Sequence, residues 1–190
     1  VFVDGTDKAY ELGDSTFQIC GWLYLGNNSA QRVAISRWLA GAGDRNWVLD
    51  YLNTSNRFRF IVYKPGNVAV TVVNDALGVP ALNRWYFVSV YHDAVADEIG
   101  IRTNLGVYDT MATGGALQLA TGAELGIGTR DQGLLRWIGR LSNIGIWTRR
   151  LEEIEHAWLY NQGRGRNWPL GDGRYMPLAH NRRLRRRRIA

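Results

Sequence analysis

Trp137-Ile-Gly-Arg-Leu-Ser-Asn-Ile-Gly-Ile-Trp-Thr-Arg-Arg-Leu151, continued by Glu152-Glu-Ile-Glu-His-Ala-Trp-Leu-Tyr-Asn-Gln-Gly163, reads as a long strand followed by one short helix. In the first part Ile138, Arg140, Ser142, Ile144 and Ile146 alternate with Trp137, Gly139, Leu141, Asn143, Gly145 and Trp147. Period-2 alternation with apolar residues in both sets is expected of a strand in a sheet covered on both sides. In the second part Leu151, Ile154, Trp158 and Leu159 recur at helical spacings, predicting one apolar stripe that docks on a body already built. Gly163 is suited to the left-handed residue that ends such a helix.

Outward from this segment the chain resolves into short strands separated by turns. Strands are expected over 2–4, 9–12, 16–25, 33–39, 47–52, 57–63, 68–73, 85–92, 98–103, 106–108, 124–127 and 137–147. Gly41-Ala-Gly-Asp-Arg-Asn46, Lys64-Pro-Gly-Asn67, Asn104-Leu-Gly106 and Arg130-Asp-Gln-Gly133 supply residues that preset turns or tolerate positive φ. The expected fold is all-β. It is a two-sheet antiparallel jelly-roll sandwich with one short helix near the C-terminus and a basic C-terminal extension. Eight Trp, nine Tyr and five Phe supply a core large enough for one domain of 190 residues. No run of about eighteen apolar residues is present to span a membrane as a helix. The chain starts with Val rather than Met and is expected to be a fragment, a processed product or an ordered portion of a longer chain. The single Cys20 lies between Ile19 and Trp22 on an expected core strand and reads as a buried hydrophobe.

Charge is unevenly placed. The net charge is +6, but residues 174–190 hold seven Arg and no acid. The rest of the chain is close to neutral, so the basic character belongs to a tail. The expected division is a sandwich over 1–168 and an Arg-rich extension over 169–190. Arg182, Arg183, Arg185, Arg186, Arg187 and Arg188 are the expected partner-binding residues. Guanidinium groups suit acidic protein surface or nucleic-acid phosphate, and the same run also suits a solvated terminus.

The quoted segment is similar to the end of laminin-G-like (concanavalin A-like) jelly-roll domains. An aromatic-x-Gly-Arg strand leads there to x-Arg-x-Leu and a Glu-Glu-Ile…Tyr-Asn-x-Gly helix. Phe2-Val-Asp-Gly-Thr-Asp7 and Phe17-Gln-Ile-Cys-Gly-Trp22 resemble the opening strands of that family. Ser36-Arg-Trp38 and Asn83-Arg-Trp-Tyr-Phe-Val-Ser-Val90 match further landmarks. The resemblance covers roughly residues 1–168 and implies the jelly-roll fold, which hosts lectins, adhesive modules, hydrolases and virion components.

Within that frame catalysis is not expected. The paired carboxylates of the fold's glycoside hydrolases have no counterpart motif. Glu152, Glu153 and Glu155 crowd the first turn of the helix, where they complement its dipole. His92, His156 and His180 are dispersed, and no nucleophile elbow or zinc spacing is present. No cofactor is expected. The one metal the resemblance allows is a calcium ion at the loop rim, with Asp14 and Asp44 as its carboxylates. Trp47, Tyr51 and Trp168 are the expected glycan-stacking aromatics, and Tyr63, Tyr91 and Tyr108 are further candidates by residue type. The function expected is a non-catalytic structural or binding module of a larger extracellular or viral assembly. The leading picture is a virion surface (decoration-type) protein anchored to neighbouring subunits through its extension. The alternative is a lectin-like glycan-binding domain of an adhesin or secreted carbohydrate-active protein. Membrane contact is not expected, and nucleic acid is a partner only through the tail.

Overall fold

The computed structural model describes residues 2–3, 11–39, 44–130 and 133–166. The Arg-rich extension and Trp168 lie outside them. Eleven strands occur among the described residues: β1 (Phe2–Val3), β2 (Phe17–Leu25), β3 (Arg32–Trp38), β4 (Arg45–Leu52), β5 (Arg57–Lys64), β6 (Val68–Val73), β7 (Trp85–Asp93), β8 (Glu98–Thr103), β9 (Asp109–Ala112), β10 (Glu124–Ile127) and β11 (Gly139–Trp147). One α-helix, α1, spans Glu153–Tyr160. The larger sheet has the order β1-β10-β3-β4-β5-β6 and the smaller one β11-β2-β7-β8-β9. Every ladder is antiparallel. The fold is therefore a jelly-roll sandwich with a short helix near its C-terminal end, as the patterning predicts.

The two inner faces meet in one core. The smaller sheet contributes Phe17, Ile19, Leu23 and Leu25 from β2, Tyr86, Val88 and Val90 from β7, and Ile99 and Ile101 from β8. The larger sheet contributes Trp47, Leu49 and Tyr51 from β4 and Phe58, Phe60 and Val62 from β5. Their spacing of two is the pleat of the strand. Phe17 meets Phe60 edge-on at 6.4 Å, and Phe58 meets Tyr86 edge-on at 5.5 Å. Edge-to-face packing between the sheets adds to the burial of large apolar area.

Four details depart from the expectations. In β11, Ser142 pairs with Trp22 but Gly145 pairs with Cys20, so one extra residue is inserted. Asn143 takes φ +51 at this bulge. The alternation slips there. Trp137 and Leu141 face the core before it, and Ile144 and Ile146 face the core after it. A bulge moves all following side chains to the other face, and strict alternation does not reveal it. Second, residues 106–108 form no strand. Positive φ at Asn104 and Leu105 and the Gly106 N–H to Thr103 carbonyl bond (2.9 Å) make a turn, and pairing resumes at Asp109. Third, residues 11–12 are irregular, and the rest of the expected strand 9–12 lies outside the described residues. Fourth, the helix stripe is rotated: Ile154 is 52% exposed, whereas His156 is buried and Leu159 and Tyr160 pack on the sheet.

Candidate functional site

The outer face of the smaller sheet carries Gln18, Cys20, Trp22 and Tyr24 on β2 and Trp85, Phe87, Ser89 and Tyr91 on the neighbouring β7. Helix α1 covers its centre. Cys20, Trp22, Phe87 and Leu151 form a small apolar cluster, with Trp147, Leu159 and Tyr160 against it. Beside it lies a buried polar cluster. Gln18 Oε1 accepts the Leu151 N–H at 2.6 Å. Gln18 Nε2 lies 2.8 Å from Ser89 Oγ, 2.9 Å from the Tyr108 hydroxyl and 2.9 Å from His156 Nε2. Arg102 lies 4.3 Å over the Tyr108 ring and pairs with Glu153 at 2.9 Å. The Glu152 and Glu155 side chains close a reciprocal capping box at the start of α1.

Cys20 Sγ is 3.8 Å from His156 Nδ1, a pairing that resembles a nucleophile and its base. Burial pushes the Cys20 thiol up to about 12, outweighing its hydrogen bond to Ser89 Oγ and the field of Arg102. Burial also lowers His156 to about 4, assisted by Arg102. Both groups are therefore neutral at pH 7, and the pair is a packed hydrogen-bonding element without thiolate character. A pH dependence follows. An unfolded chain protonates His156 near 6.5, and the folded one only near 4. Stability is thus unaffected by this group above 6.5 and falls as pH drops towards 4, by roughly 3 kcal/mol at most. Urea titrations at pH 7 and pH 4.5 should show this loss, and His156→Gln should flatten it. An equal slope in the variant would assign the loss to other groups.

Beyond the C-terminal end of α1 the same face is open. Trp22, Trp85, Ser142, Asn143, Gly163, Arg164 and Gly165 line a cleft of ≈ 200 Å³. Trp22 stacks on Tyr160 with ring centres 5.6 Å apart. Trp85 is 39% exposed and meets Tyr24 edge-on at 5.4 Å. Gly165 takes φ +66, and a β-carbon there would lie 2.8 Å from the Trp22 indole nitrogen, so glycine allows the chain to close one wall. Asn161 fixes that wall by donating from Nδ2 to the Gly165 carbonyl at 2.7 Å. The lining contains two indoles, a hydroxyl, an amide and a guanidinium, and no carboxylate.

The profile of the concanavalin A-like lectin/glucanases superfamily, laminin-G type, matches residues 4–155. The chain belongs to this superfamily. No curated protein matches the sequence. Among solved structures it is similar to the CBM40 of a Ruminococcus gnavus IT-sialidase bound to α2,6 sialyllactose, at 14% identity and a TM-score of 0.63, covering 82% of this chain and 89% of that one. A heptameric SAP-like pentraxin from Limulus polyphemus matches at 14% identity and a TM-score of 0.59, covering 80% and 71%. A botulinum neurotoxin serotype D binding domain matches at 14% and 0.57, covering 78% of this chain but only 37% of that one. At such identities the likeness describes the fold.

For a concanavalin A-like domain the expected site residues fall differently. Trp47 and Tyr51 are fully buried on the inner face of β4, so neither presents a ring to a sugar. The alternation of β4 dictates this, because both share the face of Leu49. Tyr63 and Tyr91 are also buried. Trp168 and the six arginines of the extension lie outside the described residues. Asp14 accepts the Leu117 N–H at 2.8 Å and lies 3.9 Å from His92 Nε2, and Asp44 sits against Gly122. Among the described residues no three His, Cys, Asp or Glu converge as a metal site. The open aromatic, Trp85, was legible only as part of the Asn83-Arg-Trp85 strand signature. Its proximity to Trp22, Asn143 and Arg164 depends on pairing between distant segments.

Proposed function

We propose that this superfamily member is a non-catalytic glycan-binding module of an extracellular protein or assembly, with the sugar held in the cleft beside Trp85. The observation that carries this reading is the partly exposed Trp85 indole next to Ser142, Asn143 and Arg164. An indole face suits the C–H face of a sugar ring, and the three polar side chains supply donors and acceptors for its hydroxyls. The structural likeness to a sialyllactose-bound carbohydrate-binding module supports the same class. Screening the folded domain on a glycan array identifies the sugar. Trp85→Ala should then weaken binding at least about tenfold with the thermal midpoint little changed. Unchanged affinity in the variant would remove the cleft from the reading.

The extension adds a second element. Seven arginines and no acid within 174–190, beside a nearly neutral sandwich, favour anchoring to an acidic neighbour in a larger assembly, a virion surface included.

A further inference from the structure

The aromatic floor of the Trp85 cleft is bordered by cations. Arg140 of β11 lies opposite Tyr24 of β2, and Tyr24 lies opposite Trp85 of β7. These residues form one row across the outer face of the smaller sheet. The Arg140 guanidinium is 5.5 Å from the centre of the Tyr24 ring, and Tyr24 meets Trp85 edge-on. Arg164 belongs to the wall that follows α1 and lines the cleft with Trp85. Its backbone is held in a tight turn. Its N–H donates to the Asn161 carbonyl at 3.1 Å, and the Gly165 N–H donates to the Tyr160 carbonyl at 3.1 Å. Its side chain is exposed. Among the described residues neither Arg140 nor Arg164 makes an ion pair. The acids of α1 stand at its other end, where Glu153 pairs with Arg102 and Glu155 with Arg149.

Sugar hydroxyls donate as well as accept, and a carboxylate in the lining is the strongest acceptor a protein can offer them. This cleft has none. It offers the donors of Arg164, Asn143 and Ser142 and an unmatched positive charge. A concave wall focuses that charge on whatever enters. A ligand that brings its own anion answers both features. We infer that the cleft selects an acidic sugar, one whose ring lies on Trp85 and whose single carboxylate or sulfate group is held by the Arg164 fork. The fork matches either group with two parallel N–H donors. The volume of ≈ 200 Å³ is smaller than sites that enclose a whole ligand, which suits one terminal sugar with the rest of the glycan in solvent. This inference rests on the glycan-binding reading of the cleft and adds the class of ligand.

The full chain is screened on an array of sialylated, uronic-acid-bearing, sulfated and neutral glycans. The strongest acidic binder is then titrated calorimetrically beside its neutral counterpart, the carboxyl methyl ester or the desulfated sugar. The parent should prefer the acid at least about tenfold. Arg164→Gln should lose most of this preference while still binding the neutral counterpart, whereas Trp85→Ala should weaken both. Lys64→Gln, which removes one charge from the other sheet, should keep the preference of the parent. The arginine extension attracts anions in every variant, and the preference left in Trp85→Ala/Arg164→Gln measures that background. Carboxylate or sulfate is assigned by which binder survives the comparison, and either supports the inference. Equal affinity for acid and neutral counterpart, binding of neutral glycans only, or an unchanged preference in Arg164→Gln overturns it. In those cases the glycan-binding reading stands as long as Trp85→Ala still weakens binding. No glycan bound, or binding unchanged in Trp85→Ala, overturns both.

Discussion

Gly139→Ala is expected to destabilise the domain by on the order of 3 kcal/mol or more, lowering the thermal midpoint by roughly 10 °C. Two effects act together. Gly139 has φ +149, a backbone conformation that L-residues rarely adopt. A β-carbon there would also lie inside the van der Waals envelope of the Tyr24 carbonyl oxygen and at 3.0 Å from the Gly26 nitrogen. Neither obstacle is a flexible side chain. The close approach is what lets β11 begin pairing at Leu25. It also brings the Trp137 indole N–H to the Tyr24 carbonyl at 3.1 Å and the Gly26 N–H to the Ile138 carbonyl at 2.9 Å. Opening this end of the ladder removes those bonds and exposes Trp137, which packs on the core. Urea denaturation of parent and variant measures the difference. A variant within about 0.5 kcal/mol of the parent would mean that the β11–β2 crossing is looser than described.

Gln18→Leu should cost about 2–4 kcal/mol although the volume barely changes. Leucine accepts no hydrogen bond, so the buried Leu151 N–H loses its partner at the point where the chain enters α1. Ser89, Tyr108 and His156 lose their shared contact with the amide at the same time. An eight-residue helix has little stability of its own, so its docking depends on this anchor and on Tyr160 stacked against Trp22. Hydrogen exchange should therefore quicken in α1 well before it quickens in β4 and β5. Uniform acceleration across the chain would show that Gln18 supports the whole sandwich and not the helix alone.

The same residues show how far the chain could be read before folding. Runs of β-forming residues bounded by turn signals placed β2, β4, β5 and β7 to within two residues at each end. Trp47 and Tyr51 share the period, and so the inner face, of Leu49, whereas Val48 and Asp50 point the other way; an aromatic residue type alone does not distinguish a core ring from a sugar platform. The helix was legible from the Glu-rich turn and the glycine stop, but its docked face was not. A polar face of the sheet, with Gln18 and Ser89, selects His156 over Ile154, and no periodicity within the helix records what it will meet. The bulge at Asn143 was equally hidden, since an inserted residue shows only against the partner strand.

Local sequence alone determined the fold class, the antiparallel two-layer arrangement, the short helix over 153–160 and the concentration of positive charge at the C-terminal end. Those properties follow from hydrophobic period, turn chemistry and composition, which act over a few residues. Tertiary structure alone decided the places where chemistry can occur. Trp22, Trp85, Asn143 and Arg164 converge on one cleft because ladders join strands far apart in the chain. Register across those ladders sets which distant side chains become neighbours, and it is fixed by burial of the whole core rather than by any one segment.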